Sequence, residues 1–522
     1  MENSRRFWSA CVALALVLFA IELWFLPLPG IQQDEVLFLK PFLRGETALY
    51  NITIGGLQVP AMVMSYVGCL KTWLYWPVFR IWHPDVWSIR LPVCLVSLCT
   101  LLLFAGLVRK VAGPAVALGA AILLMADPSF VFTNVFDWGP VALLMAGAVG
   151  ILVLLLRAVQ THGRLALAAA FLLAGAMLWY KALFAFPLAG ILIAGGAVFP
   201  KQLVRLAAPR NLAPAAIAGL VGALPLLLFN AVSNGATLKA TSSLEHVPVR
   251  EKLLMLRLTL DGRAFEHLVV RSVPHEVLPL SGAPLGELVQ TWYRTSGLGP
   301  GSFLFASLCA SVAALPFLRR SRLIRPILFV WAAGISMALL FLVFGSAGSG
   351  PHHTALLAPA ASFLVTATAA AVAERWRSGP RRSLLAGIVM VVALSEAVLL
   401  TNYHRAAWHN GYSVYWTDAT RPLAAALRGQ SLPVAFLDWG IEDPVRVESG
   451  DRLQVVPPTP ARTGVLYITH GPEYQLEASR MREFLQGATA QKLVVSGART
   501  IPDSHGNPVL SAFSLAEVTR GQ

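Results

Sequence analysis

A polytopic all-α membrane bundle, with about 11 transmembrane helices and a small α/β domain at its C-terminal end, is the fold class this sequence predicts. Three observations predict it. Hydrophobic residues make up 56% of the 522 residues and charged residues 13%, about half the charge content of an ordinary soluble domain. The apolar residues gather into runs that approach the roughly 20 residues needed to cross a bilayer, separated by short basic connections. After Thr401 the pattern changes: acids and bases balance one for one, and the apolar runs shorten to strand length.

Taken in order, the spans are expected at 7–27, 86–108, 114–131, 139–157, 165–180, 182–199, 212–232, 301–318, 326–345, 353–373 and 383–400. No small-residue cleavage pattern follows Phe7–Leu26, so the first run reads as an anchor. If the spans alternate, Arg5, Arg6, Arg109, Lys110, Arg157, Arg164, Lys201, Arg205, Arg210, Arg319, Arg320, Arg322, Arg325, Arg375, Arg377, Arg381 and Arg382 share one side. The opposite short connections hold almost no cations, Lys181 being the exception. The positive-inside rule then sets the N-terminus in and the C-terminus out. These cations, set against Glu2 and Glu374, account for nearly the whole net charge of +14. The basicity therefore reports topology and excludes a nucleic-acid partner. Cys11, Cys94, Cys99 and Cys309 lie within spans and Cys69 stands alone outside, so no disulfide framework or zinc spacing exists.

Three outer segments carry the polar material. Residues 28–85 are too long for a simple connector. Their stretches 35–44 and 62–82 mix aromatics with Lys40, Arg44, Lys71 and Arg80, as helices lying in the membrane interface do. Residues 233–300 scatter Arg250, Lys252, Arg257, Arg263 and Arg271 among apolar positions. Residues 401–522 read as an extracytoplasmic α/β domain beyond a 1–400 membrane domain. Strands are expected at Pro433–Asp438, Gly464–Thr469, Gln491–Ser496 and Val509–Leu515, with helices at Asp418–Leu427 and Glu477–Gln486. No repeat appears, and in particular no duplicated half with broken spans of the transporter kind.

The residues suited to chemistry fall at one level of the bilayer. Asp34 and Glu35 follow the first span and its Pro27-Leu28-Pro29-Gly30 terminator. Asp137, in Phe136-Asp137-Trp138-Gly139-Pro140, follows the third span; Lys181 closes the fifth; His352 and His353 open the tenth behind a Gly/Ser-rich turn. Each has a plain structural counterpart. Asp137 suits a helix N-cap, Lys181 a snorkelling anchor, and adjacent histidines do not share a helix face as metal ligands would. Glu22 and Glu396 sit inside spans, where ionisable groups default to function. What the plain readings leave unexplained is that acids and cations from four separate connections all face one compartment.

In order and sidedness these motifs resemble the GT-C superfamily of integral-membrane glycosyltransferases, in the branch of the protein O-mannosyltransferases and aminoarabinose transferases. Asp34-Glu35 is similar to the family's Asp-Glu after the first span. Tyr66-Val67-Gly68-Cys69-Leu70-Lys71-Thr72-Trp73-Leu74 resembles its aromatic, Lys-containing segment, and Arg90-Leu91 the Arg-Leu opening the second span. Tyr180-Lys181-Ala182 stands where many members have Thr-Lys-Gly, and His352-His353-Thr354-Ala355-Leu356-Leu357-Ala358-Pro359 resembles a basic or aromatic residue followed by Leu-Pro. The resemblance covers roughly residues 1–375; the 233–300 segment and the tail match no motif.

The resemblance implies a polyprenyl-phosphate sugar donor, transfer on the outer face to a lipid, glycan or protein acceptor, and inversion at the anomeric carbon. It implies catalytic roles for Asp34, Glu35 and Asp137, with Asp34 as base. Lys181, His352, His353 and Lys71 would hold the donor phosphate. A divalent metal ion is a possible cofactor, with Asp34, Asp137 and Glu46 as the candidates to gather around it. The Ala- and Arg-rich composition is that of a GC-rich bacterium, pointing to an inner membrane with the site facing the periplasm. A polyprenyl-linked glycan ligase or polymerase using the cations between 250 and 271, a lipid or solute transporter, and a scaffold displaying the tail are the alternatives. Asp438-Trp439-Gly440 resembles the Trp/Asp-rich acceptor-reading motif of some oligosaccharyltransferases, but its flanking residues do not match and a strand-to-turn transition explains it adequately.

Overall fold

The computed structural model describes residues 2–242, 246–271, 301–374 and 381–518. Among them, seven helices are long and apolar enough to cross a membrane, from Glu2–Phe25 to Ser383–Asn410. Two further pairs qualify only when joined across a bend: Pro114–Ala126 with Pro128–Phe136, at 61°, and Ala182–Val198 with Pro200–Leu206, at 116°. Arg164–Tyr180 and Leu304–Leu318 are shorter apolar helices. The span expected at 114–131 is thus interrupted. Asp127 caps the second half by accepting from Ser129 N at 2.7 Å, and Pro128 occupies its first turn, where a missing N–H costs nothing.

The first outer segment departs from the expected interfacial helices. Gln33–Val36 and Leu37–Phe42 are short helical turns, but residues 50–68 form an antiparallel sheet of β1 (Tyr50–Ile54), β2 (Leu57–Met64) and β3 (Val67–Gly68). Gly55 and Gly56 make the first turn with φ of 57° and 83°, the left-handed conformation that lets a two-residue hairpin follow the strand twist. Short helices Leu70–Tyr75 and Val78–Ile81 then lead to the Val86–Ala112 helix. In the second outer segment Ala236–Ser242, Val249–Leu260 and Glu266–Val269 are helical. Residues 272–300, and Arg375 and Arg377 of the basic side, lie outside the described residues.

The last long helix, Arg381–Asn410, runs on past the boundary expected at 400. The tail carries β4 (Val434–Phe436), β5 (Leu466–His470), β6 (Leu493–Ile501) and β7 (Leu510–Glu517) in the order β4-β5-β7-β6, with β4 and β5 parallel and the other pairs antiparallel. Side chains alternate across a strand, and here that places Ile468 against Leu423, Leu427 and Val445, and Tyr467 against Phe484 and Phe513. Helices Thr420–Leu427 and Glu442–Glu448 cover the first face and Ala478–Ala490 the second. The Glu442–Glu448 helix is absent from the sequence expectation. Asp438 accepts from Trp439, Leu476 and Glu477 backbone N–H groups and pairs with His470 at 2.9 Å, a loop-tying role.

This domain clamps the first outer segment. Gly30 N donates to Trp416 O at 2.9 Å, and a Cβ on Gly30 would lie 2.0 Å from Thr417 O. Arg421 donates to the Pro27 and Pro29 carbonyls at 3.0 and 3.1 Å. Gln33 bonds Asp443, Arg44 N bonds Asp451, and Arg446 pairs with Glu46 at 2.8 Å.

Candidate active site

Asp34 and Glu35 sit on the one-turn helix Gln33–Val36, which a capping box closes: Glu35 accepts from Gln32 N at 3.0 Å while the Gln32 side chain accepts from Asp34 N. Neighbouring helical residues face different ways, and the two acids diverge. Glu35 takes two hydrogen bonds from Arg90, at 2.6 and 2.7 Å, and one from Trp416 Nε1 at 3.2 Å. The remaining Arg90 donors hold the carbonyls of Leu26, Pro29 and Gly30. Both partners are 1% exposed. Glu35, expected among the catalytic acids, is a fully engaged fixing point for the loop.

Asp34 instead is only partly buried and retains a solvent-accessible edge. Burial pushes its carboxyl above the usual range; the Lys181 ammonium opposes this, the Glu35 charge adds to it, and a hydrogen bond from Trp138 lowers it. Half-buried Tyr66 lies beside it, its phenol pushed up by burial and by the Asp34 charge.

Asp137 ends one helix and starts another. Its backbone adopts φ 45°, Oδ1 accepts from Ala142 N at 2.9 Å, and Oδ2 accepts from Lys71 Nζ at 2.6 Å. Both side chains are 2% exposed, and Lys71 also lies 4.2 Å from the Phe38 ring centroid. Two expectations change here. Asp137 has both oxygens occupied and acts as a cap and counter-ion, and Lys71, expected on the donor phosphate, is neutralised by it. Lys181 differs: its ammonium donates to the Gly139 carbonyl and has no carboxylate within ion-pair distance among the described residues. Burial pushes it down to about 8, with Asp34 and Asp137 holding it up against a further fall. The first-loop sheet sets its place, through a bridge between Val67 and Lys181 and a bond from Ala182 N to Tyr66 O at 3.0 Å.

His352 and His353 complete the group. Their ring centroids lie 4.1 Å apart, and His352 packs 4.7 Å from Trp138. Gly139 adopts φ 64°, and a Cβ there would sit 2.2 Å from His352 Cδ2, so only glycine fits under the ring. His353 Nδ1 accepts from Gly348 N at 3.1 Å. His352 Nδ1 is buried without a hydrogen-bond partner.

The expected metal set does not assemble. Asp137 is saturated, Glu46 is paired with Arg446 where the tail docks, and among the described residues no three His, Cys, Asp or Glu side chains gather with metal-binding geometry. Glu22 and Glu396 are buried in their helices, Glu396 beside Asp127 at the helix break. Of the cations a ligase reading relies on, Lys252 holds the Phe341 and Phe344 carbonyls, Arg263 pairs with Asp261, and Arg271 bonds Tyr474. Trp138, Tyr66, Gly139 and Trp416 join the site without having been singled out for it. An Arg buried one turn inside an apolar helix, as Arg90 is, was the available signal for the Glu35 pairing.

Asp34, Trp138, Lys181 and the His pair thus form one electrostatic neighbourhood beside the buried Lys71–Asp137 pair, on a mostly helical scaffold that carries a small α/β unit. The family model of dolichyl-phosphate-mannose-protein mannosyltransferase matches residues 68–229, a stretch containing Lys71, Arg90, Asp137 and Lys181. ArnT from Cupriavidus metallidurans bound to undecaprenyl phosphate superposes with a TM-score of 0.60 at 14% identity, over 96% of this chain and 97% of that one. Its apo form gives 0.58 at 15%, over 98% of each. An Archaeoglobus fulgidus oligosaccharyltransferase tethered to an acceptor peptide gives 0.54 at 12%, over 99% of this chain and 75% of that one. A search of curated proteins finds no match. The chain thus shares its fold with ArnT over nearly its whole length, and the mannosyltransferase family model matches part of it.

Proposed function

We propose that this protein moves a sugar from a polyprenyl-phosphate carrier to an acceptor on the outer side of a bacterial inner membrane. The observation that carries the reading is the Asp34–Lys181 neighbourhood: a carboxylate with a solvent-facing edge near a buried ammonium that has no carboxylate at ion-pair distance among the described residues. Asp34 takes the proton from the acceptor hydroxyl as its oxygen bonds to the anomeric carbon. The C–O bond to the carrier phosphate breaks, and its electron pair leaves with the phosphate. Lys181 and a ring N–H of His352 or His353 meet that charge in a site shielded from bulk water. A single displacement from the face opposite the phosphate inverts the anomeric centre. That a protein of the same fold binds undecaprenyl phosphate supports the donor class.

Incubating membranes containing the full chain with a labelled polyprenyl-phosphate sugar tests the reading. Asp34→Asn is expected to lose transfer by about 10²- to 10⁴-fold, the usual worth of a general base, with folding retained. Transfer at the wild-type rate by that variant removes Asp34 from the chemistry.

A further inference from the structure

A second polar cavity lies at the other end of the helix that delivers Lys181. Arg164–Tyr180 spans 17 residues, so Arg164 and Lys181 are about 25 Å apart at 1.5 Å per residue. Around Arg164 opens a cavity of about 240 Å³, lined also by Arg205, Arg210, His162, Gln202 and Asn211. Its floor is apolar, with Ala158, Leu167 and Ala215 buried beneath it.

Three guanidinium groups face this space without a carboxylate. None of the three forms an ion pair among the described residues, and the sequence explains why: no Asp or Glu occurs between Trp138 and Leu244. Two helix starts open onto the same place, Arg164–Tyr180 and Pro209–Val232, and neither has a side-chain cap. Pro209 brings no N–H and Asn211 N bonds Ala208 O at 2.8 Å, so the added donors of the same sign come chiefly from the uncapped start of Arg164–Tyr180. Snorkelling alone spreads arginines over a membrane face; it does not surround a recess between helices with three of them.

We propose that this cavity binds the phosphate of an anionic phospholipid headgroup, on the membrane face opposite the sugar-transfer site. The guanidinium forks suit phosphate oxygens, the apolar floor suits the glycerol end, and basic recesses between membrane helices are built for such headgroups. The site is independent of the sugar-transfer reading.

The test is lipid retention by the full chain in nanodiscs of equal parts phosphatidylcholine and phosphatidylglycerol, read by native mass spectrometry after transfer to detergent. Wild type is expected to retain phosphatidylglycerol selectively, and Arg205→Gln/Arg210→Gln to lose it by on the order of tenfold or more. Arg157→Gln/Lys201→Gln removes the same charge from the same face outside the cavity and is expected to retain it. Arg164→Gln repeats the test on a separate helix should the double variant not fold. Equal retention by the cavity and control variants overturns the proposal, as does equal retention of phosphatidylcholine. Displacement of the lipid by millimolar inorganic phosphate overturns the lipid as the source of the phosphate.

Discussion

Arg90 reaches from the second long helix to grip Glu35 through two hydrogen bonds, at 2.6 and 2.7 Å, while Asp34, one residue earlier, stays partly exposed beside Lys181 and Trp138. Two adjacent acids thereby acquire different work. Removing one partner of a buried ion pair leaves an uncompensated charge and costs about 3–5 kcal/mol. Glu35→Gln is therefore expected to lower thermal stability strongly, and Asp34→Asn to leave it near wild type. Thermal unfolding of both purified variants checks this.

The two lysines of the site separate in the same way. Lys71 serves Asp137 at 2.6 Å, whereas Lys181 bonds the Gly139 carbonyl and has no carboxylate at ion-pair distance among the described residues. Lys181→Met is expected to raise the donor KM by roughly ten- to a hundredfold, the worth of a hydrogen bond to a charged group. Lys71→Met should act mainly on stability, because it strands the buried Asp137. Donor titrations and unfolding curves on the pair distinguish the two roles.

The pH dependence follows from Lys181. Its ammonium is pushed down to about 8 by burial, so the phosphate-binding charge is present below that pH and lost above it. Asp34, pushed up by burial, must be deprotonated to act as base. The free-enzyme profile of kcat/KM is therefore expected to fall above about pH 8 and, on the acid side, at a pH above the usual carboxylate range. A flat profile across pH 8 would contradict the role of Lys181.

Gly139 lies directly under His352 with φ 64°. Gly139→Ala is expected to displace the imidazole and cut kcat, since the added methyl meets the ring and left-handed backbone disfavours alanine. Ala substitution at His352 should leave an additional Gly139→Ala without further effect on the rate.

Trp416 ties the tail to the site through Glu35, Gly30 N and an edge-on contact with Trp138 at 5.3 Å. Trp416→Ala is expected to cost about 3–5 kcal/mol and to lower transfer more than a tail-surface change such as Arg480→Ala. Activity per folded molecule, measured for both, checks the coupling.

The helical scaffold was legible because bilayer thickness and hydrophobicity dictate run length; among the described residues seven helices, or up to nine with the bent pairs, are long and apolar enough to cross a membrane. The interruption at Asp127 was not, since a Pro after an Asp reads equally as a kink or a break. Residues 50–68 carried a readable hairpin signal in Ile54-Gly55-Gly56-Leu57, obscured by the aromatic content of the flanking stretches. That Asp34, Lys181 and the His pair lie near one another was expected from sidedness, and their electrostatic proximity agrees with that placement. The assignment of Glu35 to Arg90, Lys71 to Asp137 and Glu46 to Arg446 was not, because which acid meets which base across 55, 66 or 400 positions is decided by tertiary packing and has no local pattern.

The most direct measurement is a cryo-EM map of the full chain in nanodiscs with undecaprenyl phosphate added. Phosphate density within hydrogen-bond reach of Lys181 Nζ and a His352 or His353 ring nitrogen, with Asp34 facing it, is the predicted result. Phosphate density seated elsewhere, with Lys181 still bound only to the Gly139 carbonyl, would contradict it.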